Sequence, residues 1–87
     1  MEVKEYLPTF IKHLNRLPVK VQQKAFFALN KFKENPFNPS LNNHPLRGIL
    51  DGARAISVTG DIRIIFEEEN NYQAVRIIDI GTHNQVY

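Results

Sequence analysis

The sequence predicts an α+β fold in which an N-terminal helical hairpin packs on a small antiparallel β-sheet, with a short N-terminal strand able to join that sheet. Two observations carry the expectation. Between Phe10 and Phe32 apolar residues recur at the helical period, whereas after residue 50 they become β-branched and alternate with polar neighbours at a period of two. A stretch rich in proline and asparagine separates the two regimes.

Taken in order, residues 1–6 suit a short strand, with Val3 apolar between charged neighbours. Pro8 or Thr9 can open the first helix, in which Phe10, Ile11, Leu14 and Leu17 share a side. Pro18 ends that helix and opens the next, which runs to about residue 35 with Val21, Ala25, Ala28, Leu29 and Phe32 on one stripe. With almost no loop between them, the two helices should pair. Residues 36–43 are turn formers and read as a loop pinned by Phe37 and Leu41. Segments 53–58, 62–67 and 73–80 then read as consecutive antiparallel strands, parted by Thr59-Gly60-Asp61 and by Glu68-Glu69-Asn70-Asn71. Alternation places Ile62, Ile64 and Phe66 on one face and Arg63, Ile65 and Glu67 on the other, with Ser57 opposite in sense to Ile56 and Val58. If the apolar face meets the helices, Arg63 and Ser57 look outward. An arginine within a β-branched run is costly unless it has solvent, a partner or a task.

Length and composition narrow the function. At 87 residues the chain is read as one domain, 1–87, resting on packing alone, because it has no cysteine and therefore neither a disulfide framework nor a thiolate metal site. No apolar run spans a bilayer, and the N-terminus lacks the pattern of a signal peptide, which places the protein in the cytoplasm with no membrane partner. Neither a nucleophile elbow around Ser40 or Ser57 nor a phosphate-cradling glycine loop is present. The net charge of +2 hides an asymmetry: residues 1–48 hold eight Lys/Arg against three acids, and the remainder three arginines against six acids. Such a basic half attracts a polyanion or an acidic protein. Lys20, Lys24 and Lys31 align on the second helix beside Phe27, as a phosphate-tracking ridge or as a solvated face.

The ordered pattern is more specific: Asn35-Pro36-Phe37, His44-Pro45-Leu46-Arg47-Gly48, Gly52-x-Arg54, Gly60-Asp61-Ile62-Arg63-Ile64-Ile65-Phe66 and the tail Gly81-Thr82-His83-Asn84-Gln85-Val86-Tyr87. In that order these resemble the RelE/ParE superfamily of toxin–antitoxin toxins, and within it the YafQ-like messenger-RNA interferases. The resemblance implies a ribosome-dependent, metal-independent endoribonuclease with no cofactor. Such an enzyme cuts mRNA in the ribosomal A site and is silenced by a cognate antitoxin in a hetero-oligomeric complex. Carried over position by position, His44, Asp61 and His83 match active-site positions of that group. Tyr87 takes the place of the C-terminal aromatic, and Arg63 matches the arginine of the strand lining the site. Two positions depart from the pattern: Ser57 stands where another histidine is expected, and Asp79 where an arginine is expected. Asp79 could orient His83 or Arg63.

These residue types suit the chemistry implied. Cleavage by an attacking 2′-hydroxyl needs a base, an acid for the departing 5′-oxygen and a cation for the phosphoryl oxygens. His83 is assigned the acid, His44 or Asp61 the base or its orienting partner, Arg63 the phosphate clamp, and Tyr87 either a base-stacking platform or a hydroxyl presented to the site. RNA contacts are assigned to Arg54, Lys20, Lys24, Lys31 and Arg47. Plainer readings compete: a loop cap for His44, a hairpin-turn aspartate for Asp61, a rim ion pair for Arg54, an exposed His13 and a frayed tail for His83. The competing functions are a ParE-like gyrase inhibitor acting by binding, and a disarmed relative that retains only antitoxin binding.

Overall fold

The computed structural model describes residues 1–82. A five-stranded sheet has the order β1 (Glu2–Tyr6), β5 (Ala74–Thr82), β4 (Ile62–Glu69), β3 (Arg54–Ser57), β2 (His44–Pro45). Helices α1 (Pro8–Arg16) and α2 (Val19–Glu34) cover one of its faces. The meander β3, β4, β5 is antiparallel as the sequence leads one to expect, whereas β1 joins it parallel to β5.

Each helix boundary has a local cause. Pro8 occupies the first turn of α1, where its missing N–H costs nothing, and the basic His13 and Arg16 in the last turn complement the helix dipole. Leu17, forced extended by the following proline (φ −79°, ψ 152°), stops α1, and Pro18 caps α2. Asn35, extended before Pro36, stops α2 in the same way. The predicted loop contains a 3-10 turn, Pro39–Leu41, opened by the Asn38 side chain accepting from the Ser40 N–H at 3.0 Å. Leu41 is buried there, but Phe37 stays 60% exposed, its ring edge-on to that of Tyr72 at 5.0 Å. Of the two residues expected to pin this loop, one does so.

The main core lies between helices and sheet. Phe32, Ile56, Ile64, Phe66 and Ile77 are fully buried, with Phe32 edge-on to Phe66 at 4.7 Å. Each such side chain contributes about 1.5–3 kcal/mol by leaving water. The other face is not bare, because Leu46, Ala53, Ala55 and Ile65 form a second, smaller cluster, joined by Leu50 and Ile78. Residues 46–53 tuck beneath the sheet to make it, turning through Gly48 and Gly52 at positive φ. A bulge separates Ile65, opposite Asp79, from Phe66, opposite Ile77. It lets Ile77 and Ile80 both face the helices. Among the described residues no helix is long and apolar enough to cross a membrane.

Candidate active site on the uncovered sheet face

Strand register decides what shares the uncovered face. Ser57, Arg63 and Gly81 stand side by side on β3, β4 and β5, so the arginine lies between a small hydroxyl side chain and no side chain at all. One row along, His44 of β2 stands beside Ala55, which stands beside Ile65. The outward aim of Arg63 and Ser57 is therefore as the alternation predicts.

Arg63 is anchored without being neutralised. Its Nη1 donates to the carbonyls of Thr59 at 3.0 Å, Gly60 at 3.1 Å and Ile62 at 3.3 Å. Carbonyls hold the fork in place but leave its charge intact, and among the described residues no carboxylate pairs with it. The turn that supplies those carbonyls is itself tied by Thr59 Oγ1, which accepts from the N–H groups of Asp61 at 3.2 Å and Ile62 at 3.0 Å. Asp61 is exposed at the tip of this turn. His44 is half-buried, and its Nδ1 lies 2.8 Å from the Asn42 carbonyl. Because a carbonyl only accepts, that nitrogen carries the proton, which fixes the tautomer. Asn42 offers its carbonyl from a left-handed backbone, φ 48°. Arg63, Ser57, His44 and the Asp61 turn thus gather on one side of the sheet.

His83 and Tyr87 lie outside the described residues. The described chain ends at Thr82, opposite Ile62 and next to the Arg63 row.

The five residues assigned to RNA contact do not form one surface. Lys20, Lys24 and Lys31 belong to α2, on the covered side of the sheet, and Lys31 Nζ lies 4.7 Å from the centre of the exposed Phe27 ring while donating to Ser40 Oγ at 3.2 Å. Arg47 is exposed at the start of the 3-10 turn Gly48–Leu50, below the uncovered face. Arg54 pairs in register with Phe66 and so points to the helix side. Among the described residues it makes no ion pair, contrary to the rim salt bridge expected, and instead its Nε donates to Asn43 Oδ1 at 2.8 Å. Asn43 Nδ2 in turn donates to the Pro36 carbonyl at 3.0 Å and to Tyr72 Oη at 3.1 Å. This network explains how Tyr72 tolerates φ +67°, with its N–H held by Glu68 Oε2 at 2.8 Å and its ring against Phe32, Phe37 and Phe66. Arg54 is a fastening between β3, the loop and the β4–β5 hairpin.

Asp79 does not pair with Arg63, and its expected pairing with His83 lies outside the described residues. Its Oδ1 lies 2.6 Å from His13 Nδ1, across from β5 to α1, so His13 is not the idle surface residue that the sequence suggested. Separated by 66 positions in the chain, the two residues give no motif. The available signal was chemical: an aspartate among Ile77, Ile78 and Ile80 requires a partner for the same reason that Arg63 does.

Comparison with known proteins settles the architecture. YafQ from E. coli strain BL21(DE3) superposes with a TM-score of 0.83 at 20% identity, over 100% of this chain and 99% of its own. The chain has the RelE-like fold of YafQ. A YoeB/ParE toxin from Agrobacterium tumefaciens gives 0.76 at 17% identity over 95% of this chain and 99% of its own. YafQ in the E. coli DinJ-YafQ toxin-antitoxin complex gives 0.70 at 18% identity over 100% and 99%. No protein-family model and no curated protein matches the sequence. On this YafQ scaffold the uncovered face carries Arg63, His44 and Ser57, and the helix side carries the core, Arg54 and the α2 lysines.

Proposed function

We propose that the chain is the toxin of a toxin–antitoxin pair and acts as a metal-independent endoribonuclease on mRNA in the ribosomal A site. The observation that carries this reading is Arg63: a cation held by three turn carbonyls, unpaired by any described carboxylate and flanked by Ser57 and Gly81. An arginine so placed is ready for a phosphodiester, because its planar fork meets phosphate oxygens and its orientation is fixed before substrate arrives. In the proposed reaction the 2′-hydroxyl loses its proton to His44 or to Asp61 and attacks phosphorus. The bond to the 5′-oxygen breaks, that oxygen takes a proton from His83, and a cyclic phosphate remains on the upstream fragment. Arg63 offsets the charge gathering on the phosphoryl oxygens, and Tyr87 stacks on a neighbouring base. Side chains supply acid, base and cation, so the step draws on no metal.

The ribosome would supply what so small a site lacks. Holding a 2′-hydroxyl in line with its phosphate is worth about 7–11 kcal/mol of barrier, and the decoding centre fixes the mRNA rigidly. The basic α2 ridge of Lys20, Lys24 and Lys31 suits docking on ribosomal RNA. A cognate antitoxin as partner is supported by the toxin–antitoxin complex formed by YafQ. Primer-extension mapping of transcripts in a translating extract tests the reading. Wild-type protein should give discrete cuts that vanish with His83→Ala and with Arg63→Gln. Cuts that persist in both variants overturn the assignment, and growth arrest that survives both without any cuts favours a gyrase-type target.

A further inference from the structure

We propose that the cleft between the end of α1 and the second half of β5 is a phosphate subsite for RNA, with His13 and Arg16 as its ligands and Asp79 as a positioning residue. The identity of the carrier as RNA rests on the functional reading above, whereas the subsite's capacity for phosphate does not. The cleft has a volume of about 370 Å³ and is lined by His13, Arg16, Leu17 and Ile80. Among these described residues two can donate hydrogen bonds and two are apolar, which suits an anion carried on a sugar and base.

The donors are arranged rather than scattered. A carboxylate only accepts, so at 2.6 Å from Asp79 Oδ1 the His13 Nδ1 carries its proton and the ring is fixed, with Nε2 left to meet a ligand. Asp79 is half-buried and is further held by the N–H of Ile80, which donates to Oδ1 at 2.8 Å. Arg16, three positions along the same helix, falls on the same side as His13. It is exposed and makes no ion pair among the described residues. The Asp79 carboxylate would repel an anion, but its charge is directed at the imidazole.

The cleft also lies where an RNA strand leaving Arg63 would go. Gly81 stands beside Arg63, and Asp79 precedes it by two residues. One strand spacing and two residue rises put the Asp79 and Arg63 backbones about 8 Å apart. Beyond Ile77, no strand among the described residues lies on the outer side of β5, since the β1 pairing ends there. A strand gripped at Arg63 on the uncovered face can therefore pass round this edge of β5 to the helix side, where the cleft lies.

The full chain labelled with ¹⁵N, titrated first with inorganic phosphate and then with a short 2′-deoxy-substituted, uncleavable oligonucleotide, tests this directly. Both ligands should move the His13 ring nitrogens to saturation. Arg16→Gln, a surface change on a helix, should weaken the oligonucleotide roughly tenfold and lower its salt slope by about 0.7. Asp79→Asn should leave the chain folded yet alter the His13 tautomer signature and weaken phosphate, an outcome that a purely structural aspartate would not produce. A His13 ring that ignores phosphate overturns the proposal, as does an Arg16→Gln protein that keeps full oligonucleotide affinity. Loss of cleavage in translating extracts with cleft binding intact would instead remove the nuclease reading and leave the subsite standing.

Discussion

The two faces of the sheet are made from the same β-branched strands and put to opposite uses. On the helix side Ile56, Ile64, Phe66 and Ile77 are fully buried against Phe32 and its neighbours. On the other side residues 46–53 cover Ala55 and Ile65, and the next row holds Ser57 and Arg63. The period of two makes this division possible, since each strand commits alternate residues to stability and to the surface independently. The comparison teaches that stability and the proposed chemistry are separable here. Substitutions on one face should unfold the protein, and substitutions on the other should disarm it.

The largest effect should follow Phe66→Ala. Removing a fully buried ring that meets Phe32 leaves a cavity the helices cannot close, costing about 3–5 kcal/mol in a urea-unfolding experiment. Ile65→Ala, one position along but on the smaller cluster, should fall near the lower end of the Ile→Ala range, about 2 kcal/mol. Equal losses at the two positions would break the asymmetry of the faces.

Arg63→Gln is the converse. Transcript cleavage should fall by about 10²–10³, the amount typical of removing one charge-stabilising donor. Unfolding free energy should change by less than about 1 kcal/mol, because the Thr59 and Gly60 carbonyls sit at a turn that water reaches and the Ile62 carbonyl still accepts from Val58 and Thr59. A variant that is both inactive and unfolded would show that the arginine belongs to the fold after all.

Asn43→Ala should have an intermediate effect. It removes the acceptor of Arg54 and the donor to Pro36 and Tyr72 at once, so a loss of about 1–3 kcal/mol is expected in the same unfolding experiment. Cleavage per folded molecule should be unchanged, which separates this fastening from the uncovered face.

Legibility in the sequence divided along physical lines. The helices, the meander and the aim of Arg63 were readable because each depends on residues within a few positions of one another, through period, proline and turn chemistry. What was missed depends on distant partners. The parallel pairing of β1 with β5 joins Glu2 to Ala74, and β2 is two residues long, too short for any alternation to register. Asp79 finds His13 because the bulge and the turn at Pro18 bring α1 over β5, and no local pattern encodes that meeting. Arg54 reads as a surface cation until Asn43, itself placed by the loop, is seen to receive it. For the site, Arg63, His44 and the Asp61 turn come to one side of the sheet, while the basic residues around them separate onto different surfaces because helix and strand periods place them without reference to one another.

The smallest effect should come from an exposed ion pair at the far end of the uncovered face, beyond Glu67. Lys4 Nζ lies 2.8 Å from Glu69 Oε1, with both side chains more than half exposed. The hydrogen bond from Lys4 holds the Glu69 carboxyl below its ordinary value, and the same bond raises the Lys4 ammonium above its own. A lowered carboxyl contributes stability that is complete above its unfolded value of 4.5 and is lost as pH falls through the folded value. A raised ammonium contributes stability that is complete below 10.5 and is lost as pH climbs through its folded value. The pair is therefore intact throughout the neutral range and releases only at its acid and alkaline ends. Even so, water screens both charges and two long side chains must be held still, so Lys4→Gln should leave the unfolding midpoint at pH 7 where it was. The change should be visible only at the partner: in a carboxyl NMR titration, Glu69 should move up toward an ordinary glutamate. A clear drop in global stability would mean that the edge strand β1, and not the covered face alone, holds the sheet together.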